Sequence, residues 1–181
     1  IVVDRYHFKE DREGYVGNVR SHLWLFDVAA RKASPLTSGP YDDERPSFSP
    51  DGRLVAFVSR RGEDPDRGND ANVFVVEART GATPRALTTF PGEDGGRPAF
   101  SPDGKWVAYL QGAEVGFTAY AQQKLAVVPV EGGPARLLNP SLDRPVDDPI
   151  LFTPDGKSLL FSVVDDRSQW IGRTPLGGGE V

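Results

Sequence analysis

Only two histidines, His7 and His22, are available for acid–base chemistry, and the chain has no cysteine. Thiol nucleophiles, disulfides and thiolate metal ligands are therefore excluded. His22 follows Ser21 directly. Neighbours in an extended strand point to opposite faces, so this pair cannot form the hydrogen-bonded Ser–His unit that activates a hydroxyl. His7 falls in or beside a long loop and reads as a surface or loop-packing side chain. The nucleophile elbow Gly-x-Ser-x-Gly is absent around every serine. The expectation is a chain with no catalytic residue of its own.

Metal and phosphate chemistry fare no better. The run from Asp64 through Asp66 and Gly68 to Asp70 is similar to a calcium loop. However, an EF-hand needs an acid at the fifth position, glycine at the sixth and glutamate at the twelfth, where this chain has Gly68, Asn69 and Val75. It reads as a solvated, charged loop, and no metal or cofactor is implied. Gly177, Gly178 and Gly179 have no helix after them to add an N-terminal dipole, so they read as a turn rather than a phosphate cradle.

What remains is a set of carboxylates and guanidiniums: Asp42, Asp43 and Glu44; Glu93 and Asp94; Asp143, Asp147 and Asp148; and Arg45 and Arg97. A repeat gives them a common address. Phe-Ser-Pro-Asp-Gly begins at Phe48 and again at Phe100, and Phe-Thr-Pro-Asp-Gly begins at Phe152, so the copies recur 52 residues apart. Around each copy the same order returns: acidic residues with a proline, the turn, an apolar strand, a variable loop, a second apolar strand and, in most copies, a glycine turn. Fixed periods of this length mark solenoids or propellers.

The turn chemistry decides between them. Proline pre-sets the second turn position, Ser and Asp bond nearby backbone, and glycine accepts a left-handed conformation; the result joins antiparallel strands tightly. The segments 53–59, 105–111 and 157–163 follow it, rich in β-branched and aromatic residues and apolar on both faces, and read as buried strands. Segments 22–28, 72–78 and 124–130 supply a further strand each, and 83–88 and 135–139 another. Four strands, a to d, fill one period. The fold class expected is all-β, a β-propeller fragment of about three and a half blades with 14 strands: 1–39 a partial blade (b, c, d), 40–90 and 91–140 complete blades, 141–181 a partial blade (a, b, c). A β-sandwich is the alternative, but it does not demand a constant period. Trp24, Trp106 and Trp170 fall on strands c, b and c and are expected to pack between blades.

In this arrangement the tight turns share one face. The long segments 7–21, 60–69 and 111–123, with 40–45, 91–97 and 139–148, share the other, where recognition is expected. Strand a lines the channel, which brings Asp43, Asp94 and Asp148 to one rim. There they either attract a peptide amino terminus or a basic partner, or cap backbone N–H groups at the strand entrance. Arg45 and Arg97, being 52 apart, are expected at equivalent places in adjacent blades, either pairing with those acids or holding a substrate carboxylate or carbonyl.

Composition sets the remaining bounds. The net charge of −5 argues against a nucleic-acid partner. The longest apolar runs, 23–26 and 125–130, are far short of the ~20 residues of a membrane span. The opening Ile-Val-Val-Asp-Arg-Tyr has neither Met nor a signal pattern, so any targeting segment is expected to lie outside this sequence. Twenty glycines and 16 prolines predict many turns and short elements. Blades incomplete at both ends would offer open strand edges for oligomer formation.

The turn motif, extended by Val-Ala-Phe after Phe48 and Val-Ala-Tyr after Phe100, resembles the TolB-type propeller repeat, shared by TolB-like proteins and by the propeller domains of serine peptidases in the prolyl oligopeptidase family. Residues 4–28 and 41–76, the latter with its Arg-Gly-Glu-Asp-Pro-Asp loop, resemble blades of the acylaminoacyl-peptidase and dipeptidyl-peptidase-like branch. The resemblance implies a non-catalytic propeller that filters short or N-acylated peptides toward an α/β-hydrolase domain absent from this chain, in the cytoplasm. Two alternatives stay open: a TolB-like interaction propeller without activity, which would be periplasmic, and another propeller enzyme such as a lyase or glycosidase.

Overall fold

The structure is a computed structural model, and it describes residues 6, 8–11, 14–68, 70–114, 116 and 121–181. Two four-stranded antiparallel sheets form its centre. The first orders β5 (Asp43–Phe48), β6 (Leu54–Ser59), β7 (Asn72–Glu77) and β8 (Arg85–Ala86); the second orders β9 (Gly92–Phe100), β10 (Trp106–Glu114), β11 (Lys124–Pro129) and β12 (Arg136–Leu137). A third sheet holds β13 (Val146–Phe152), β14 (Ser158–Asp165) and β15 (Ser168–Pro175). Each is a meander in which consecutive strands pair, as a β-propeller blade requires.

Before them, β3 (Trp24–Asp27) pairs with β4 (Lys32–Pro35), and β1 (Lys9–Glu10) pairs with β2 (Gly14–Tyr15). This makes 15 strands among the described residues, one more than expected, because the loop before β3 folds into its own hairpin. The b strand expected in the first blade falls largely on residues outside the described set, as does His7.

The repeat turn is the same device three times. Ser101 Oγ donates to Asp103 Oδ1 at 2.6 Å and accepts from the Trp106 N–H at 3.0 Å, while the Lys105 N–H reaches Asp103 Oδ1 at 3.1 Å. Ser49 with Asp51, and Thr153 with Asp155, repeat these bonds. The serine or threonine hydroxyl, then a backbone N–H, hold all three carboxyls below the usual carboxylate range. Gly52, Gly104 and Gly156 take φ of 71°, 70° and 69°, a region that a Cβ makes costly.

The core lies in the seams between sheets. Leu23, Leu36, Val55, Phe57 and Val76 fill the first; Ala56, Val75, Val107, Tyr109 and Val128 the second; Leu110, Leu125, Val127, Leu159 and Phe161 the third. Phe57, Tyr109 and Phe161, at the same point of each period, are at most 1% exposed. They plug successive seams with one large ring each, so blade stacking rather than strand pairing alone holds the fold.

The tryptophans divide. Trp106 packs in the third seam, with the Arg136 guanidinium 5.7 Å from its ring, but Trp24 and Trp170 are 62% and 43% exposed, contrary to the expected inter-blade packing. Trp24 lies on the face of β3 opposite Leu23 and Leu25, which no described sheet covers. Trp170 lies near the short turn between β14 and β15, where there is no long loop to fold over it.

Candidate functional site

Strands β5, β9 and β13 are the first strands of their sheets and lie side by side. Antiparallel order puts the tight turns at one end of the sheets and the long connections at the other, and the charged residues singled out above stand at that second end.

Their spacing along the rim differs from the sequence period. Asp43 pairs with Ser59 on β6, and Asp94 with Gln111 on β10, so these two acids occupy one rung although they are 51 residues apart. On β13 the rung is taken by Val146, opposite Val163. Each first strand is then interrupted by a register shift of the kind a β-bulge produces, and the bulge of β9 holds one residue more than that of β5. Counted from the rim rung, Arg45, at φ 53°, corresponds to Gly96, at φ 70°; counted back from the next rung, Ser47 on β5 and Ala99 on β9, it corresponds to Arg97. The expected equivalence of Arg45 and Arg97 thus holds on one side of the bulge and is offset by one residue on the other.

Asp148 joins three sheets. Its carboxylate accepts the Arg97 backbone N–H at 3.1 and 3.0 Å and lies 3.8 Å from the Arg45 guanidinium. The Arg97 residue is itself exposed. Asp43 and Asp94 are buried, at 2% and 0% exposure, and their surroundings are opposite. Asp43 Oδ1 accepts from Arg61 at 2.7 Å, Oδ2 lies 3.5 Å from His22 Nδ1, and the Arg61 guanidinium is 4.9 to 5.5 Å from the rings of Tyr41, Phe57 and Phe74. Arg61 and His22 as partners of Asp43 escaped the sequence reading. The only signal was the Arg60-Arg61 pair directly after a buried strand.

Around Asp94 those partners are missing. Its backbone N–H reaches the Ala71 carbonyl at 2.8 Å, as that of Asp43 reaches Ser21 at 2.9 Å, but among the described residues neither carboxylate oxygen has a hydrogen-bond partner in good geometry. Asn72 stands where His22 stands, and the position 52 residues beyond Arg61 is Ala113. The Thr88 hydroxyl nearby directs its proton to Asn72 Oδ1 at 3.3 Å. Burial pushes the Asp94 carboxyl up to about 7, the Thr88 hydroxyl pulling the other way, and burial followed by the Asp94 charge raises the Tyr109 phenol. Above Asp94 opens a cleft of about 200 Å³ whose walls include Glu44, Arg45, Arg60, Glu93, Asp94 and Asp147. Arg60 lies 3.8 Å from Glu93. Carboxylates outnumber guanidiniums in these walls, so the cleft can attract a cation.

No family model matches the chain. In sequence it is 27% identical to a protein of Bacillus subtilis named as the uncharacterized peptidase YuxL, over 88% of this chain and 28% of that protein. It is 30% identical to dipeptidyl-peptidase 5 of Porphyromonas gingivalis, over 75% of this chain and 20% of that one. It therefore spans between a fifth and a third of the length of these relatives. In fold it is similar to a TolB structure from Agrobacterium tumefaciens, with a TM-score of 0.62 at 22% identity, covering 87% of this chain and 53% of the other. The chain is a segment of a β-propeller with TolB-like repeats. Both of these sequence relatives carry peptidase names.

Proposed function

We propose that this chain is the non-catalytic propeller portion of a serine peptidase acting on short or N-acylated peptides, with its long-loop rim turned toward an α/β-hydrolase domain whose substrate access it controls. The sequence likeness to two proteins named as peptidases, 27% and 30% identical, carries this reading. The geometry is consistent with it: the tight-turn end is closed by internally satisfied Ser-Pro-Asp-Gly bonds, while the rim gathers charged side chains around a cleft. A propeller of this kind contributes selection and exclusion of water rather than a reacting group. The test is labelling of the full-length protein by a serine-directed fluorophosphonate probe. Labelling outside residues 1–181, together with hydrolysis of acyl-amino-acid or dipeptidyl substrates, is the expected result. A full-length protein that neither labels nor hydrolyses them, yet binds a protein partner through this propeller, would replace the proposal with the interaction-module reading.

A further inference from the structure

We propose that the cleft at the head of the seam between the second and third blades binds the guanidinium of an arginine side chain on a peptide ligand, with the Asp94 carboxylate as counter-charge. The protein contains its own template for such a site one seam earlier. There Asp43 stands on the same rung as Asp94, and the Arg61 guanidinium donates to it at 2.7 Å from among three aromatic rings. In the second seam the acid is kept and the internal guanidinium is not. Asp94 is fully buried, both of its oxygens lack a well-placed donor among the described residues, and it lines the cleft.

A buried carboxylate without a donor is costly to keep ionised. A planar guanidinium satisfies both oxygens at once, as an ammonium does less completely. The groups facing Asp94 are the Tyr109 phenol from β10, the neutral Asn72 and Thr88 from the second blade, and the charged Glu44, Glu93 and Arg60 at the mouth. The cleft wall also carries Asp42, Asp147 and Arg45; its two cations each face another carboxylate, Arg60 at 3.8 Å from Glu93 and Arg45 at 3.8 Å from Asp148. The ligand reaches the carboxylate by displacing Arg60 and Gln123, two long flexible side chains in the cleft wall. The raised Asp94 carboxyl ties binding to pH, because the guanidinium captures the ionised form and binding releases a proton.

The proposal rests on the long-loop rim being the ligand-facing side, but its test reads binding and not turnover, so it fails separately from the peptidase assignment. Nα-acetyl-arginine N-methylamide is titrated into the 181-residue protein by calorimetry and by chemical shift at the Asp94 amide, at pH 8.5 and 5.5. Binding is expected at pH 8.5, weaker by roughly tenfold or more at pH 5.5, and weaker by about ten- to a hundredfold in Asp94→Asn. The neutral citrulline analogue should not bind. Absence of binding by the arginine probe, equal binding by the citrulline analogue, or equal affinity at the two pH values would overturn the proposal. So would preferential binding of alanyl-leucine amide, whose only cation is its α-amine. Because the pH comparison uses the unaltered protein, the test stands even if Asp94→Asn does not fold.

Discussion

Asp43 and Asp94 stand on the same rung of adjacent blades, yet Arg61 donates to the first from 2.7 Å while, among the described residues, no guanidinium meets the second. One backbone position thus carries two electrostatic states. The first seam contains a satisfied ion pair, and the second contains a carboxyl that burial holds near neutrality. The difference comes from two side chains, Arg61 and His22, whose counterparts in the next period are Ala113 and Asn72.

The unpaired carboxyl sets a pH dependence. Its folded pKa of about 7 lies above the unfolded value of ~3.9, so the unfolded state gives up its proton first as pH rises. Stability falls between about pH 4 and 7 and levels off above. Asp94→Asn removes that fall. Urea unfolding should show the variant more stable than the parent at pH 8 by on the order of a few kcal/mol, with the gap closing toward pH 4. Parallel pH profiles would refute it.

The paired acid is tested through its partner. Arg61→Ala leaves Asp43 buried without its main donor and strips a cation from the rings of Tyr41, Phe57 and Phe74. The expected loss is about 2–4 kcal/mol. Asp43→Asn in the same background should recover part of it, since it removes the stranded charge; thermal melts of the single and double variants measure this directly.

The repeat turn, the strand alternation and the four-strand period were legible in the sequence because each is local: a Ser-Pro-Asp-Gly turn needs only its own residues. The rim was less legible. Arg45 and Arg97 share the sequence period and both lie within bulges, but the extra residue in the β9 bulge offsets Arg97 by one from the rim rung, and bulges follow from pairing between strands rather than from spacing. The Asp43–Arg61 pair escapes the sequence for a related reason, since it forms between side chains at the ends of two paired strands, 18 residues apart. Trp24 and Trp170 were misplaced because burial of a face depends on whether another sheet covers it.

At the tight-turn end, Gly104 takes φ 70°, and a methyl group added there would meet only Pro50 Cδ, at 4.0 Å. The cost of Gly104→Val thus rests on backbone strain, since the Cβ itself meets no clash, and is about 1–3 kcal/mol. A lowered Tm with unchanged arginine-probe affinity is expected. A Tm within error of the parent would show that the turn relaxes to another conformation.

The 181-residue chain by itself should hydrolyse neither acyl-amino-acid nor dipeptidyl chromogenic substrates, because no serine in its sequence sits in a Gly-x-Ser-x-Gly elbow. Cleavage by the purified chain that a serine-directed inhibitor abolishes would contradict this.

The proposed function depends most directly on which end of the propeller meets substrate. In the full-length protein, kcat/KM and Tm are measured for Arg97→Ala at the rim and Gly104→Val at the tight-turn end. If the rim is the substrate-facing end, Arg97→Ala lowers kcat/KM with little change in Tm, while Gly104→Val lowers Tm and leaves kcat/KM nearly intact wherever the fold persists. Equal kinetic damage from the two, or none from Arg97→Ala, would contradict it.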